Sequence, residues 1–179
     1  LTDPELLLKL RNPETRSYGF NLLVRQYQKR IYAHVRKMVV DHDDADDITQ
    51  EVFIKVHKHL DGFREDAALF TWIYRIATNE CLGFLQKKKR RFFLPIGDNE
   101  AELGAKLEQQ PGLSGDEIQL KLQKALLKLP DKQRLVFNMK YYEDLSYEEI
   151  ANITQTSVGA LKASYHHAVK KIEEFLELH

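Results

Sequence analysis

Wound at 100° per residue, residues 69–91 separate into two faces, which no alternating strand register does for them. Phe70, Ile73, Tyr74, Ala77, Cys81 and Phe84 fall on one side, and Trp72, Arg75, Asn79, Gly83, Gln86 and Arg90 on the other. The same period recurs along the chain, and strand-like alternation is absent. Helices are predicted over 3–10, 14–40, 44–60, 69–91, 117–129, 131–142, 147–153 and 158–178. Asp61-Gly62 stops the third of these and Pro130 the fifth. The expected fold is all-α. Two breakers, Leu94-Pro95-Ile96-Gly97 and Gln110-Pro111-Gly112-Leu113-Ser114-Gly115, mark turns between the fourth and fifth helices. The expected organisation is therefore two small helical domains, an amino-terminal helical bundle (1–91) and a carboxyl-terminal helical domain (117–179). A flexible linker at 92–116 joins them.

The outward stripe of the fourth helix is unusual in kind. It carries an aromatic ring, guanidiniums, amides and a glycine, where an ordinary wet face would be content with Glu and Lys. Such groups can hold an unstacked base and the phosphates beside it. The helix then runs into Lys87-Lys88-Lys89-Arg90-Arg91, and the stretch after it is acidic: Asp98, Glu100, Glu102, Glu108, Asp116 and Glu117 against Lys106. Formal net charge over the 179 residues is zero, so any nucleic-acid contact must come from local patches rather than a uniformly basic coat. One cysteine, Cys81, excludes an internal disulfide and suits a reducing cytosol. No apolar run reaches the length of a membrane span and no secretion signal precedes the first helix, so the expected location is the cytoplasm, without membrane insertion.

The carboxyl-terminal domain carries a second motif. Ser146 and Glu149 are spaced as a capping box that opens a short helix, and a tight turn at 154–157 leads into a longer one. Two helices so joined read as a helix-turn-helix. In the last helix Val158, Leu161, Tyr165, Ala168, Val169 and Ile172 point inward, while Gly159, Ala160, Ala163, His166, His167, Lys170 and Lys171 point outward. Small residues at its start let the backbone approach a major groove, a histidine can donate to a base edge, and lysines can meet phosphates. A helical hairpin with a wet face is the plainer alternative. Gln155 stands where a turn glycine is usual and costs about 1 kcal/mol if left-handed. Thr156 stands where an apolar anchor is usual.

In the third helix Ala45, Ile48, Val52, Val56 and Leu60 form the buried face, and Asp47, Gln50, Glu51 and Ile54 lie almost opposite. An acidic and amide ridge with one exposed isoleucine suits protein docking better than catalysis. Solvent alone is the alternative. The Asp41–Asp47 acidic run with His42 invites a metal reading, but adjacent positions project in different directions and carboxylates there also serve the helix dipole. No metal or other cofactor is expected.

These segments together resemble the sigma-70 family. Residues 44–53, Asp-Ala-Asp-Asp-Ile-Thr-Gln-Glu-Val-Phe, are similar to its polymerase-binding helix. Residues 70–79, Phe-Thr-Trp-Ile-Tyr-Arg-Ile-Ala-Thr-Asn, are similar to its promoter-melting helix, and 145–171 to its terminal helix-turn-helix. Order and length match the extracytoplasmic-function group, and the match covers nearly the whole chain. The resemblance implies a sigma factor, not an enzyme, that binds core RNA polymerase and directs promoter-specific initiation. Asp47, Gln50, Glu51 and Ile54 would meet the polymerase. Arg75 and Asn79, with Lys87, Lys88, Lys89, Arg90 and Arg91, would hold the melted minus-ten strand, and the loop 63–68 would shape the base pocket. That loop's Arg64-Glu65-Asp66 leaves the base choice open. Ser157, Gly159, Ala160, Lys162, Ala163, His166, His167, Lys170 and Lys171 would read duplex DNA at minus thirty-five. Family members often carry arginines where this chain has Ser164, His167 and Val169, which implies a different promoter or a weaker grip. An anti-sigma partner is also implied.

The two promoter elements lie about two helical turns, or ~70 Å, apart, so the linker must be drawn out on the polymerase. Its negative charge could mimic nucleic acid there. Two rival readings stand beside this one: a helix-turn-helix regulator with an amino-terminal sensor, and a metal-dependent phosphohydrolase built on His42 and the aspartates.

Overall fold

Asp41 begins α3 (His42–His59) by accepting the Asp44 amide hydrogen at 3.0 Å, which satisfies one free donor of the first turn. The structure, a computed structural model, describes residues 1–92, 96–110 and 116–178. Upstream lie α1 (Asp3–Arg11) and α2 (Arg16–Val39). The α2–α3 junction is sharp. Val40 has φ 69° and ψ −47°, and Asp41 N–H donates to Val39 O at 2.8 Å, the three-residue turn of the strained hand. A β-branched residue there persists because Val40 is buried and its carbonyl accepts from Arg36 Nε at 2.6 Å.

A single 3₁₀ turn, Leu60–Gly62, ends α3, and a loop connects it to α4 (Leu69–Phe92). Leu23, Ile31, Val35, Val52, Val56, Ile73, Ala77 and Cys81 interlock as the core of this amino-terminal bundle. The predicted inward face of α4 is the packed one, with Ile73, Tyr74, Ala77 and Cys81 fully buried. Thr71, Thr78 and Leu85 join them.

The segment expected to be a linker without regular structure contains a helix, α5 (Ile96–Glu108). Leu103 and Leu107 bury against Val40 and Leu127, and Lys106 Nζ reaches Asp41 at 2.9 Å. The acidic residues of this segment are partly neutralised: Glu108 pairs with Lys124, and Glu100 meets Lys128 at 3.6 Å. Of the two expected breakers, Leu94-Pro95 and residues 111–115 lie outside the described residues, while Ile96 and Gly97 stand at the start of α5 and Gln110 just past its end.

Downstream come α6 (Glu117–Leu127), α7 (Asp131–Phe137), α8 (Tyr147–Thr154) and α9 (Val158–Leu178). The helix predicted over 131–142 changes pitch after Phe137 into one π-helical turn, Asn138–Tyr142. The wider turn carries an extra residue, which re-aims the side chains after it, Glu143 among them. The capping box forms as expected: Glu149 N–H donates to Ser146 Oγ at 3.1 Å and Ser146 N–H to Glu149 Oε2 at 2.8 Å. Gln155 is left-handed, with φ 55° and ψ 40°, so the turn does carry the expected backbone cost.

The two halves are packed on each other. Leu135, Val136, Met139, Leu145, Ile150, Ile153 and Leu161 fall in the same buried cluster as the amino-terminal core. A second cluster, with Ala125, Leu126, Leu129, Phe137, Ala168 and Ile172, holds α6, α7 and α9 together.

Candidate nucleic-acid interface

Every residue of the expected docking ridge is exposed. Asp47, Gln50 and Glu51 stand clear of α3, and Ile54 keeps 60 % of its surface in water. Behind them Ile48, Thr49, Val52 and Phe53 are buried, so packing on the opposite side sets the ridge's orientation. The acidic run at its start acts locally: Asp41 caps α3 and binds Lys106, and His42 Nδ1 lies 2.5 Å from the Tyr32 hydroxyl. The amide and lysine contacts hold the Asp41 carboxyl below the usual carboxylate range. Among the described residues no three His, Cys, Asp or Glu side chains converge as a metal would require.

A cleft of about 310 Å³ separates the ridge from α4. Asp47 and Glu51 line one wall, Asn79, Gly83 and Lys87 the other. An ion pair between Lys55 and Glu80 ties the two walls together. Asn79 is exposed at the mouth of this cleft, with its carboxamide able both to donate and to accept. One helical turn further along α4 a glycine leaves space, since a Cβ at Gly83 would meet nothing within 4 Å.

The rest of the α4 stripe is less open than helical spacing alone indicates. Trp72 is half-buried, its ring centroid 5.0 Å from that of Phe63 at a tilt of 37°, so its face is spent on the loop rather than displayed to a base. Helical spacing alone turns Trp72 outward and leaves open whether it stacks on a base or packs on a neighbour, and here it packs, on Phe63. Arg75 is also half-buried, and its Nε donates to the Asn152 carbonyl of α8 at 2.5 Å. In the basic tail, Lys87, Arg90 and Arg91 are exposed. Lys89 meets Asp131 at 2.7 Å and Lys88 lies 3.9 Å from Asp44. The loop 63–68 is tethered at Glu65, which Arg11 meets at 2.7 Å, and the turn before it at Asp61, which Arg16 meets at 2.6 Å. Glu65 itself has φ 60°.

On α9 the expected outward set is outward. Ser157, Gly159, Ala160, Lys162, Ala163, His166, His167, Lys170 and Lys171 are exposed, while Leu161, Ala168 and Ile172 are buried. Ser157 caps this helix by accepting from Ala160 N–H at 3.2 Å. Small residues at the amino end keep the backbone within reach of a groove, and Lys162, Lys170 and Lys171 flank them. Lys171 touches Gln133 at 3.3 Å.

The groups that join the halves are not singled out by sequence pattern. Glu143 is almost fully enclosed: its carboxylate accepts from Tyr74 OH at 3.1 Å and from His34 Nδ1 at 3.1 Å. Burial raises this carboxyl, but the His34 bond and charge, Lys37 and the Tyr74 hydroxyl outweigh it, and its pKa lies below the usual value. Arg134 is buried too, with Nη2 donating to Met38 O at 2.8 Å. The only trace of this in sequence is the i, i+4 spacing of Arg134 and Asn138 inside an otherwise apolar stretch.

Comparison with known proteins finds matches to both halves of the chain. The family model "Sigma-70 region 2" matches residues 23–91, and "Sigma-70, region 4" matches residues 119–172. The chain is 32 % identical to the RNA polymerase sigma-H factor of Pseudomonas aeruginosa, with 98 % of this chain and 94 % of that protein covered. It is also 32 % identical to the ECF RNA polymerase sigma-E factor of Escherichia coli K12, over 97 % and 93 % of the two. Two solved structures share the fold. One is the sigma factor RpoE in complex with the anti-sigma factor NepR from Bartonella quintana, at TM-score 0.69 and 22 % identity, covering 88 % of this chain and 96 % of that one. The other is CnrH in complex with the cytosolic domain of CnrY, at TM-score 0.70 and 20 % identity, covering 98 % and 97 %.

Proposed function

The chain belongs to the sigma-70 family, and from that premise we propose how its surfaces divide the work of an ECF-type sigma factor. It directs promoter-specific transcription initiation, with core RNA polymerase and promoter DNA as partners. In our reading residues 1–91 form the unit for polymerase binding and the minus-ten element, and residues 117–179 the unit for minus thirty-five. The segment 92–116 is the connector drawn out between them. Asp47, Gln50, Glu51 and Ile54 dock the polymerase. Arg75, Asn79 and the Lys87–Arg91 tail hold the melted strand, and the exposed face of α9 reads duplex DNA.

The observation that carries this reading is the cleft between α3 and α4. Its two walls bring the docking carboxylates Asp47 and Glu51 alongside the base-capturing amide of Asn79. A polymerase seated on one wall closes the cleft around a strand held on the other, which couples polymerase binding to strand capture. Sigma factors are regulatory, non-catalytic proteins, and we propose no chemistry of its own for this one. Among the described residues no helix is long and apolar enough to cross a membrane. We place the protein in the cytoplasm with the polymerase, under an anti-sigma partner.

Reconstitution with core polymerase tests the division. Asn79→Ala is expected to lower open-complex formation about tenfold or more, by loss of ~1–3 kcal/mol of base contact, and to leave core binding intact. Asp47→Lys with Glu51→Lys is expected to abolish core binding. Parallel loss of both activities in Asn79→Ala would overturn the role given to α4.

A further inference from the structure

The loop 63–68 is an odd neighbour for a strand of phosphates. It adjoins the amino end of the α4 stripe through Phe63, whose ring centroid lies 5.0 Å from that of Trp72. Yet it carries Glu65 and Asp66, and Asp61 stands just before it. Carboxylates beside a bound strand repel it. Glu65 also has φ 60°, a backbone conformation that an L side chain adopts only against a steric cost. Both the charge and the turn call for a partner outside the loop.

Helix α1 supplies one from a fixed position. Leu6 and Leu10 seat it in the amino-terminal core. Its first turn is held by Tyr27 OH, which donates to the Asp3 carboxylate at 2.8 Å, and its last by Thr15 Oγ1, which donates to the Lys9 carbonyl at 2.8 Å. At Gly19 the backbones of α1 and α2 come so close that a Cβ would lie 3.1 Å from Lys9 Cβ and 3.2 Å from Leu10 N. Arg11 ends this clamped helix, and its Nη2 donates to Glu65 Oε1 at 2.7 Å. Arg16, at the start of α2, donates in the same way to Asp61 at 2.6 Å. A pocket of about 200 Å³ between Leu7, Leu10 and Arg11 on one side and Leu60, Asp61 and Phe63 on the other leaves space that packing does not fill. At this end the loop is therefore held by its ion pair more than by apolar contact. With Glu65 engaged, Arg64 and Asp66 stay exposed and, among the described residues, without a hydrogen-bond or ion-pair partner.

We propose that Arg11 is a positioning residue for base choice in the melted strand. It holds the left-handed Glu65, takes up its charge, and so fixes how Arg64 and Asp66 meet a nucleotide lying beside Trp72. This role rests on the strand-holding face proposed for α4. It extends that face to a side chain on α1 that never touches DNA. Exposed ion pairs are individually weak because water and salt screen them, and Arg11 and Glu65 keep 60 % and 44 % of their side chains accessible. The effect therefore falls on discrimination between bases and not on folding. A strained turn needs only a small bias to change its conformation.

The test uses core polymerase reconstituted with the full chain, and the probe is a single-stranded oligonucleotide of randomised sequence whose bound fraction is sequenced. The parent is expected to enrich one base at the position next to Trp72. Arg11→Ala is expected to lower that enrichment about two- to fivefold, the range open to a surface ion pair, with core binding and the unfolding midpoint unchanged. Arg11→Lys keeps the charge and is expected to retain most of the enrichment. Glu65→Gly releases the tether while tolerating the positive φ, and it is expected to lose enrichment at the same position. A merely structural role would not single out one position. The proposal is overturned if Arg11→Ala and Glu65→Gly enrich as the parent does, if they lose enrichment uniformly at every position, or if the parent enriches no base. Asn79→Ala separates the tether from the reading beneath it. If that variant holds the strand as the parent does while Arg11→Ala still loses its one position, the role of Asn79 falls and the tether stands. If it loses the strand while Arg11→Ala keeps the parental enrichment, only the tether falls.

Discussion

The seam between α2 and α4 and the seam between the two halves of the chain are made of different materials. Across the first, Ile31, Val35, Ile73 and Ala77 meet fully buried, side chain against apolar side chain. Across the second, Met139, Ile150 and Leu161 are equally buried, but they surround Glu143, His34, Tyr74 and Arg134. Apolar burial is non-directional and forgiving, so the first seam defines a domain. Buried charge is directional and costly when unpaired, so the second specifies one docked geometry and gives up stability elsewhere. In the division of work proposed above both kinds have a use, one to keep each half rigid and the other to let the halves separate by ~70 Å on a promoter.

The largest effect expected from breaking that contrast is in the apolar seam. Ile31→Ala removes a fully buried side chain and leaves a cavity, and should cost about 2–5 kcal/mol of unfolding free energy. In denaturant titration it should move the midpoint of the amino-terminal bundle. A change confined to the distance between halves, with the midpoint untouched, would show that the bundle does not depend on its own core.

Acid should act on the other seam. The Glu143 carboxyl titrates below its ordinary value of 4.5 when docked, so its contribution is fully present above 4.5 and lost as pH falls through the lowered docked value. His34, Tyr74 and Lys37 face it across the seam, and all four sit at the contact that opens. As pH falls from 4.5 through the lowered docked value, the halves are expected to separate in small-angle scattering before far-ultraviolet circular dichroism changes. Simultaneous loss of both signals would mean that the two seams form one cooperative unit.

The same contrast explains what is legible in the sequence. Periodicity tells which side of a helix is covered, and it places the buried faces of α3, α4 and α9 because apolar packing needs only the right residue on the right side. It does not tell what does the covering. Spacing therefore sends Trp72 outward, although Phe63 from the adjoining loop lies against it. Leu135, Val136 and Met139 are apolar in any reading, yet nothing along the chain says that their cover is the amino-terminal bundle. The π turn after Phe137 is invisible because one inserted residue barely disturbs a helical pattern, although it aims Glu143. Helix α5 escapes a reading by pattern because breakers bracket it and only Leu103 and Leu107, one turn apart, mark its buried side. The exposure of Asp47, Gln50, Glu51, Asn79, Lys170 and Lys171 is legible for the opposite reason, since their residue types make no sense as core, whereas Ile54, Gly159, Ala160 and Ala163 are placed outward by the helical period alone.

The smallest expected effect separates stability within the carboxyl-terminal half from docking between halves. Gln155 sits left-handed between α8 and α9, at the helix end where glycine is usual. Gln155→Gly relieves the Cβ strain but loosens the unfolded chain, for a net gain of about 0.5–1 kcal/mol. The side chain is exposed and its removal leaves the Glu143 and Arg134 contacts intact. The variant should therefore raise the unfolding midpoint of the carboxyl-terminal half slightly without altering the small-angle scattering of the folded protein. If the halves moved apart instead, the strained turn would be part of what keeps them docked, and the holding contacts would extend from the two buried charges to the turn itself.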